Sequence, residues 1–493
     1  MLTLLTLVAA ALVATSLPYW LPAAVIRLRM RIFRRINGDE GIPIPGQLVD
    51  ASRFKWAYSN RAADGRSRGA TLTDLFWYWL SPGPEIHQEH LEPGERYDEI
   101  AAATRRILAL PRQGAEKLAA RCVARVLDEP GLQNAKLVHL RDLMMPVWAD
   151  FYYEVVFGQR CTPSARQLIV GNANDVVTAL KCCGLRHMDK RERLTRFLVE
   201  KLEAGELPHE LPERLSTREK ALYLQGVFFN TAIVQMSEAM AHLLMVLAQH
   251  GQIQETLAAE LGDEHYLDRV ITETLRVYPL FGVSHRITSD DIGIDERTTL
   301  PKGSVLCFNY PEFHRVGYED PERFDPDRWK ELATREANYI PFGITANRPC
   351  PAQALALVTM RVAAREVLRR FALYSSASHT RSLPNRGPCL LVARVGGYDA
   401  RRRAALLLFM RLRDRWEDVY RSMVQLILGT YMVWDARRLR LCERYFEIHD
   451  MEARTAGRDQ PAHACPVGAH SLHRSAAVPQ NAQSRLEQES GAH

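Results

Sequence analysis

The sequence predicts a mainly α-helical protein with small β-sheets, arranged around one long apolar helix. Three observations lead there. From about residue 90 to 260, apolar residues recur at three- and four-residue spacing, as in DEIAAATRRILAL and KLAARCVARVLDE; this is the period of a helix with one buried face. The stretch 219–250, EKALYLQGVFFNTAIVQMSEAMAHLLMVLAQH, is apolar on nearly every face, as expected of a helix that runs through a core. Beyond it come short β-like pieces, Asp291–Ile294 and Ser304–Phe308, with turn signals at Gly293 and Pro301-Lys302-Gly303. A membrane span is the alternative for 219–250, although Gln225, Asn230, Gln235, Glu238 and His242 interrupt it.

A chain of 493 residues with 47% hydrophobic content can bury a large core. Its 25% charged residues mark an ordinary globular body. The net charge of +6 is modest, and no Lys/Arg-rich arm carries interleaved aromatics, so no nucleic-acid partner is expected. A basic face suits an acidic redox protein or a lipid surface instead. The nine cysteines are odd in number and irregular in spacing. They describe no disulfide scaffold and point to a reducing compartment. The adjacent Cys182 and Cys183 read as structural.

The first 21 residues carry no charged side chain, and five arginines follow between Arg27 and Arg35. Crossing a bilayer takes about 20 apolar residues, and the arginines place the body on the cytoplasmic side. No charge precedes the apolar run, unlike a cleaved signal peptide, and Pro18 and Pro22 permit a monotopic attachment. Residues 1–35 are therefore read as a membrane anchor with a basic flank, with a signal peptide or a buried helix as alternatives. Gly41–Asp50 reads as a stiff, proline-rich entry loop. No Gly-rich nucleotide loop and no internal repeat appears. A further long helix begins just after Cys350 and ends near Phe371, and an irregular region with short strands reaches about Ala400. Residues 400–450 form a basic, amphipathic helical extension that packs on the body or lies in an interface plane. Residues 451–493 have the composition of a disordered tail. His463, Cys465 and His470 within it could bind a metal, but their spacing and setting favour chance.

Three local patterns carry chemistry. In ITETLRVYP, Glu273 and Arg276 share one helix face and can pair; alone this is also a common surface salt bridge. In the proline-broken loop DPERFDPDRW, Arg323 is placed to join them in a three-member network, which would make a buried carboxylate tolerable. In IPFGITANRPCPAQALALVTMRVAAREVL, a loop with Gly343 and Pro349 reaches Cys350 and a helix starts at once. The helix's first amides can hydrogen-bond the sulfur and stabilise a thiolate. A buried free thiol is the alternative for such a cysteine on its own.

In order and separation these patterns resemble the cytochrome P450 family: Glu273–Arg276 its ExxR element, 321–324 its meander signature and 341–352 its cysteine loop, with Cys350 standing 74 positions after Arg276. The resemblance implies the triangular haem-binding fold for residues 40–399. It implies haem b (iron protoporphyrin IX) with Cys350 as the axial iron ligand, and Glu273, Arg276 and Arg323 as a structural network. Arg348 is placed to meet a haem propionate, with Arg286 and His285 as further candidates; Phe342 packs near the sulfur, and 281–285 faces substrate. It also implies monooxygenation of a small lipophilic or natural-product-like organic substrate, with electrons from an external reductase or ferredoxin.

The chain departs from the family pattern in two places. Phe342 to Cys350 spans eight residues where seven are usual, and Thr345 or Ala346 and Ala352 stand where glycines are usual. In the long central helix the expected acid–threonine pair is missing; depending on frame, Val234-Gln235 or Asn230-Thr231 stands there. Thr231 and Gln235 are the candidates for ordering a catalytic water. A weak proton relay brings in oxidative coupling, peroxide-driven oxidation and rearrangement as alternative reactions. A non-catalytic haem-binding or membrane scaffold protein is the alternative outside enzymology.

Overall fold

The computed structural model describes residues 2–458 except 39, 130–134 and 396–397. The central stretch is continuous: an α-helix Thr217–Leu224, a π-helical segment Gln225–Ala232 and an α-helix Ile233–Gln249. Its start is fixed by a capping box, in which Ser216 accepts from the Glu219 amide and the Glu219 carboxylate returns to the Ser216 amide. Helices Leu140–Phe157, Pro163–Leu180, Glu264–Val277 and Gln353–Arg370 pack around it. Met240, Leu243, Leu244 and Leu247 are fully buried there. The stretch is long and apolar enough to span a membrane, but it is enclosed by protein.

Among the described residues, three small sheets complete the body. Ile42–Ile44 pairs in parallel with Val305–Asn309, which pairs antiparallel with Val283–Ile287. Lys136–His139, Pro388–Ala393 and Phe371–Tyr374 form an antiparallel sheet, and Ile292–Gly293 pairs with Thr299–Leu300. The 42–44 strand lies inside the segment read as an entry loop. Pro43 and Pro45 dominate its local signal, and its partner strand is remote in sequence.

The Glu273 network differs from the expected one in one member. Arg276 Nε and Nη2 donate to the two Glu273 oxygens at 2.9 and 2.8 Å. The third cation is Arg328, whose Nε donates to Glu273 Oε1 at 3.0 Å, and Trp329 Nε1 adds a bond at 2.8 Å. Arg323 is exposed and reaches the network through its backbone carbonyl, which accepts from Arg276 and Arg328. The chain turns at Asp320, with φ 43°, and then enters the 3-10 turn Pro326–Lys330, which delivers Arg328 and Trp329 to the carboxylate.

The helix Leu2–Asn37 is exposed up to Thr15 and packs from residue 16 onward against a 40-residue helix, Ala400–Leu439. The two run parallel: Tyr19 meets Arg415, Arg29 meets Gln425 and Asn37 meets Arg437. The longer helix is tied to the body through Asp414, which accepts from Ser378 and Asn385. A last helix, Leu441–Arg458, packs on Thr71–Leu80, where Asp74 accepts from the Cys442 amide at 2.9 Å. It extends into the segment read as a tail; 459–493, with His463, Cys465 and His470, lies outside the described residues. Among the described residues the cysteines are free.

Removing the charge at Glu273 leaves two guanidinium groups facing a buried neutral amide. Glu273→Gln is expected to cost about 3–5 kcal/mol, whereas Arg323→Ala stays within about 0.5 kcal/mol. Urea midpoints of the two variants check this; equal losses would restore Arg323 as the network cation.

Candidate active site

The cysteine loop is shaped by local hydrogen bonds and one glycine. The Cys350 amide donates to the Phe342 carbonyl at 2.9 Å, which closes the loop. Gly343 has φ +76°, and a Cβ there would come within 3.3 Å of the Tyr58 hydroxyl. Asn347 is pinned within the loop: its amide donates to the carbonyls of Tyr58 and Ala63, and its oxygen accepts from Arg66. The helix Gln353–Arg370 begins immediately afterwards. Burial pushes the Cys350 thiol pKa up, and the Ala352 backbone N–H opposes it by bonding the sulfur. A bound metal cation would add the missing stabilisation of the thiolate.

Cys350 lines a cavity with an empty volume of about 1590 Å³, including its part open to solvent. Phe342, Arg348, Arg286, His285, Thr231 and Gln235 line the same cavity, so the structure brings the predicted site residues together. Phe281, Val283 and Ser284 also line it, in keeping with a substrate-facing 281–285. Arg348 Nη1 donates to the carbonyls of Gln88 and Leu91, and its guanidinium lies 3.8 Å from the Tyr97 ring centroid. Arg286 Nη2 donates to Tyr58 Oη at 2.7 Å. Arg348 Nη2 and Arg286 Nε are buried without a partner among the described residues. A buried unpaired guanidinium N–H is costly, and a ligand carboxylate would relieve it. His285 fits that role less well, because its Nε2 is already engaged by the Arg66 carbonyl at 2.8 Å and Thr73 at 3.3 Å.

The π-helical segment settles which frame of the central helix faces the cavity. Asn230 turns away to Asn172, while Thr231 and, one turn on, Gln235 both line the cavity. Thr231 Oγ1 lies 2.9 Å from His87 Nε2. His87, Gln88, Glu89 and His90 all line the cavity, and sequence reasoning passed over them. The available signal was the run EIHQEHLEPG, two histidines flanking an acid between turn residues. Burial lowers His87 from the ordinary histidine value of 6.5 to about 4. It drives His90 well below that ordinary value, lowers His285, and raises the Glu89 carboxyl.

This arrangement, a thiol at a helix start beside an apolar cavity with unpaired cationic donors, is what a haem-thiolate site would need. Comparison with known proteins bears on the family. Residues 184–395 match the family model Cytochrome P450. Rat Cytochrome P450 3A9 is 30% identical over 165 residues, covering 29% of this chain and 32% of that protein. Putative cytochrome P450 135B1 of Mycobacterium tuberculosis is 32% identical over 185 residues, covering 34% and 39%. The matched segments thus span 32% and 39% of these relatives' length. In structure, a zebrafish cytochrome P450 solved with abiraterone aligns with TM-score 0.56 at 18% identity, over 68% of this chain and 89% of that one. A six-coordinated cytochrome P450 from Thermus thermophilus aligns with TM-score 0.53 at 17% identity, over 69% and 90%.

The comparisons together support a cytochrome P450 family member, with residues 184–395 matched to the family model. Membership implies a haem cofactor, and the residues present fit one: Cys350 would hold the iron, and Arg348 and Arg286 would take the propionates.

The buried histidines set a pH limit. An unfolded chain binds protons at His87 that the folded chain refuses between pH 6.5 and about 4, so stability rises with pH through that window and is lost as pH falls through it. The urea midpoint is expected to be level above pH 7 and to drop between pH 6.5 and 4. His87→Gln should flatten part of that drop, and an unchanged slope would show that His87 titrates normally.

Proposed function

We propose that the protein is a haem-thiolate monooxygenase that oxidises a lipophilic organic substrate with dioxygen, using electrons from an external electron-donor protein. The observation that carries this reading is Cys350, placed at a helix start and lining the same cavity as the unpaired donors of Arg348 and Arg286. Haem b, when bound, supplies the activation of dioxygen, with the thiolate assisting O–O cleavage. The chain's own residues would bind, orient and shield. Arg348 and Arg286 fix the cofactor's carboxylates. Phe76, Val227, Phe228, Leu280 and Phe281 give the cavity an apolar wall suited to a lipophilic molecule. Thr231 and Gln235 offer hydrogen bonds along the central helix.

The missing acid–alcohol pair favours a second reading, in which the same site carries out oxidative coupling, peroxide-driven oxidation or rearrangement. Supply of electrons and dioxygen in parallel with hydrogen peroxide alone separates the two by which supports turnover. A membrane location with the body on the cytoplasmic side is supported by the apolar, exposed start of the Leu2–Asn37 helix and its arginine flank.

The test is the carbon-monoxide difference spectrum of the dithionite-reduced protein beside Cys350→Ser. A Soret band strongly red-shifted relative to histidine-ligated haem, and lost in the variant, is expected. Haem binding with no such shift in the wild type would exclude the thiolate ligand.

A further inference from the structure

Several helical threonines of this protein spend their hydroxyl proton on their own helix. Thr104, Thr272, Thr274 and Thr359 each donate to the carbonyl four residues back at 2.7–2.8 Å. Thr231 makes no such bond; its hydroxyl is paired with His87 Nε2. The proton on the imidazole can be located. The Glu89 backbone N–H donates to His87 Nδ1 at 3.2 Å, so Nδ1 carries the lone pair. Burial keeps the ring neutral, and a neutral ring with a free Nδ1 lone pair has its hydrogen on Nε2. His87 is therefore the donor, and the Thr231 hydroxyl proton has no acceptor among the described residues.

The π-helical segment makes this contact possible. Its i→i+5 bonding widens the turn, so that Gly226 and Thr231, five residues apart, come to one side of the helix. In a regular α-helix of 3.6 residues per turn they would diverge by about 140°. The imidazole lies against both: a Cβ on Gly226 would stand 3.3 Å from His87 Cδ2.

We propose that His87 is a positioning residue for Thr231, holding the hydroxyl so that its proton is offered to an oxygen atom bound in the cavity shared with Cys350. The inference rests on the haem-thiolate reading of that cavity. His87 is not itself the proton source, because loss of Nε2–H from a neutral ring would leave an imidazolate. The proton leaves Thr231 Oγ1 for the acceptor, and one returns to it from water entering the cavity. A neutral histidine from a remote loop thus takes the place of the acidic neighbour that the central helix lacks.

Carbon monoxide serves as the probe, since its stretching frequency falls when a donor faces its oxygen and needs no known substrate. The reduced carbon-monoxide complex is examined by infrared spectroscopy in the wild type, His87→Leu, Thr231→Val, the double variant, His87→Gln and Gly226→Ala. His87→Leu and Thr231→Val are expected to raise the C–O stretch by equal amounts, and the double variant to raise it no further. His87→Gln, whose amide N–H reaches the same point, should keep the native frequency. Gly226→Ala, which pushes the ring without removing either polar group, should raise it. A stretch that moves with Thr231→Val but not with His87→Leu overturns the proposal, as does one that neither moves. If His87→Leu fails to fold, the contrast between His87→Gln and Gly226→Ala decides, and equal frequencies in those two overturn it. These outcomes are read with the red-shifted Soret band present in the wild type. Absence of that band removes the haem-thiolate reading, and this inference with it.

Discussion

The joining of the Glu264–Val277 helix to the 320–330 loop depends on one buried carboxylate. Glu273 is fully buried, and such a charge is tolerable only with its lone pairs satisfied. Arg276, Arg328, Trp329 and the Asp325 amide satisfy them. These donors come from two separate parts of the chain, so the Glu264–Val277 helix and the 320–330 loop cannot separate without stranding a charge. The link continues toward the cysteine. Arg276 Nη1 donates to the His314 carbonyl, and His314 Nδ1 lies 3.2 Å from the Arg276 carbonyl. His314 Nε2 accepts from the Ile340 amide at 2.9 Å. That last bond fixes the chain where it enters the cysteine loop. The Glu273–Arg276 pair is thereby linked, through His314, to the start of the loop that carries Cys350.

What could be read from the sequence was what is local. The Glu273–Arg276 pair is written in one helical turn, and Cys350 in one loop, so both were legible. The third cation was not, because 320–329 holds two arginines and only the backbone turn at Asp320 decides which side chain meets the carboxylate. The strand Ile42–Ile44 was hidden for a related reason: its prolines speak for a loop, and its pairing with Val305–Asn309 has no local signature. The domain's helical core was legible because its 3.6-residue period persists over long segments. The period fails at Gln225–Ala232, where the backbone turns π. A reading by α-helical frames had to choose between 230–231 and 234–235. The structure places Thr231 and Gln235 together in the cavity. His87 lay beyond such reasoning altogether, since its partner is 144 positions away.

The same π turn links fold and candidate chemistry. A π segment inside an α-helix disrupts regular packing and is commonly found at functional sites. Here it brings Gly226 and Thr231 to the face that receives the 85–94 loop. That loop in turn supplies carbonyls to Arg348 through Gln88 and Leu91. One loop therefore braces both a candidate propionate ligand and the hydroxyl of the central helix. A change in the loop would disturb both groups together, although they sit on different elements.

The terminal helices bear on how such a protein would meet a membrane. Their contacts keep a constant offset of 396 between Tyr19 and Arg415 and between Arg29 and Gln425. By that register Arg411 and Arg413 lie level with residues 15–17. A helix spanning the bilayer through 3–21 would carry those arginines toward the hydrocarbon, at a cost of about 2.5–3.5 kcal/mol each at the bilayer centre. The Ala400–Leu439 helix also exposes Phe409, Leu412, Trp416, Tyr420, Met423, Ile427, Tyr431 and Trp434. At about 100° per residue these fall on one stripe, rich in the aromatic residues that favour a bilayer interface. For a chain that meets a bilayer, this packing and composition would favour a helix pair lying in the interface plane over a single upright span. Pro18 and Pro22, inside the first helix, are in keeping with an element that need not run straight through the bilayer.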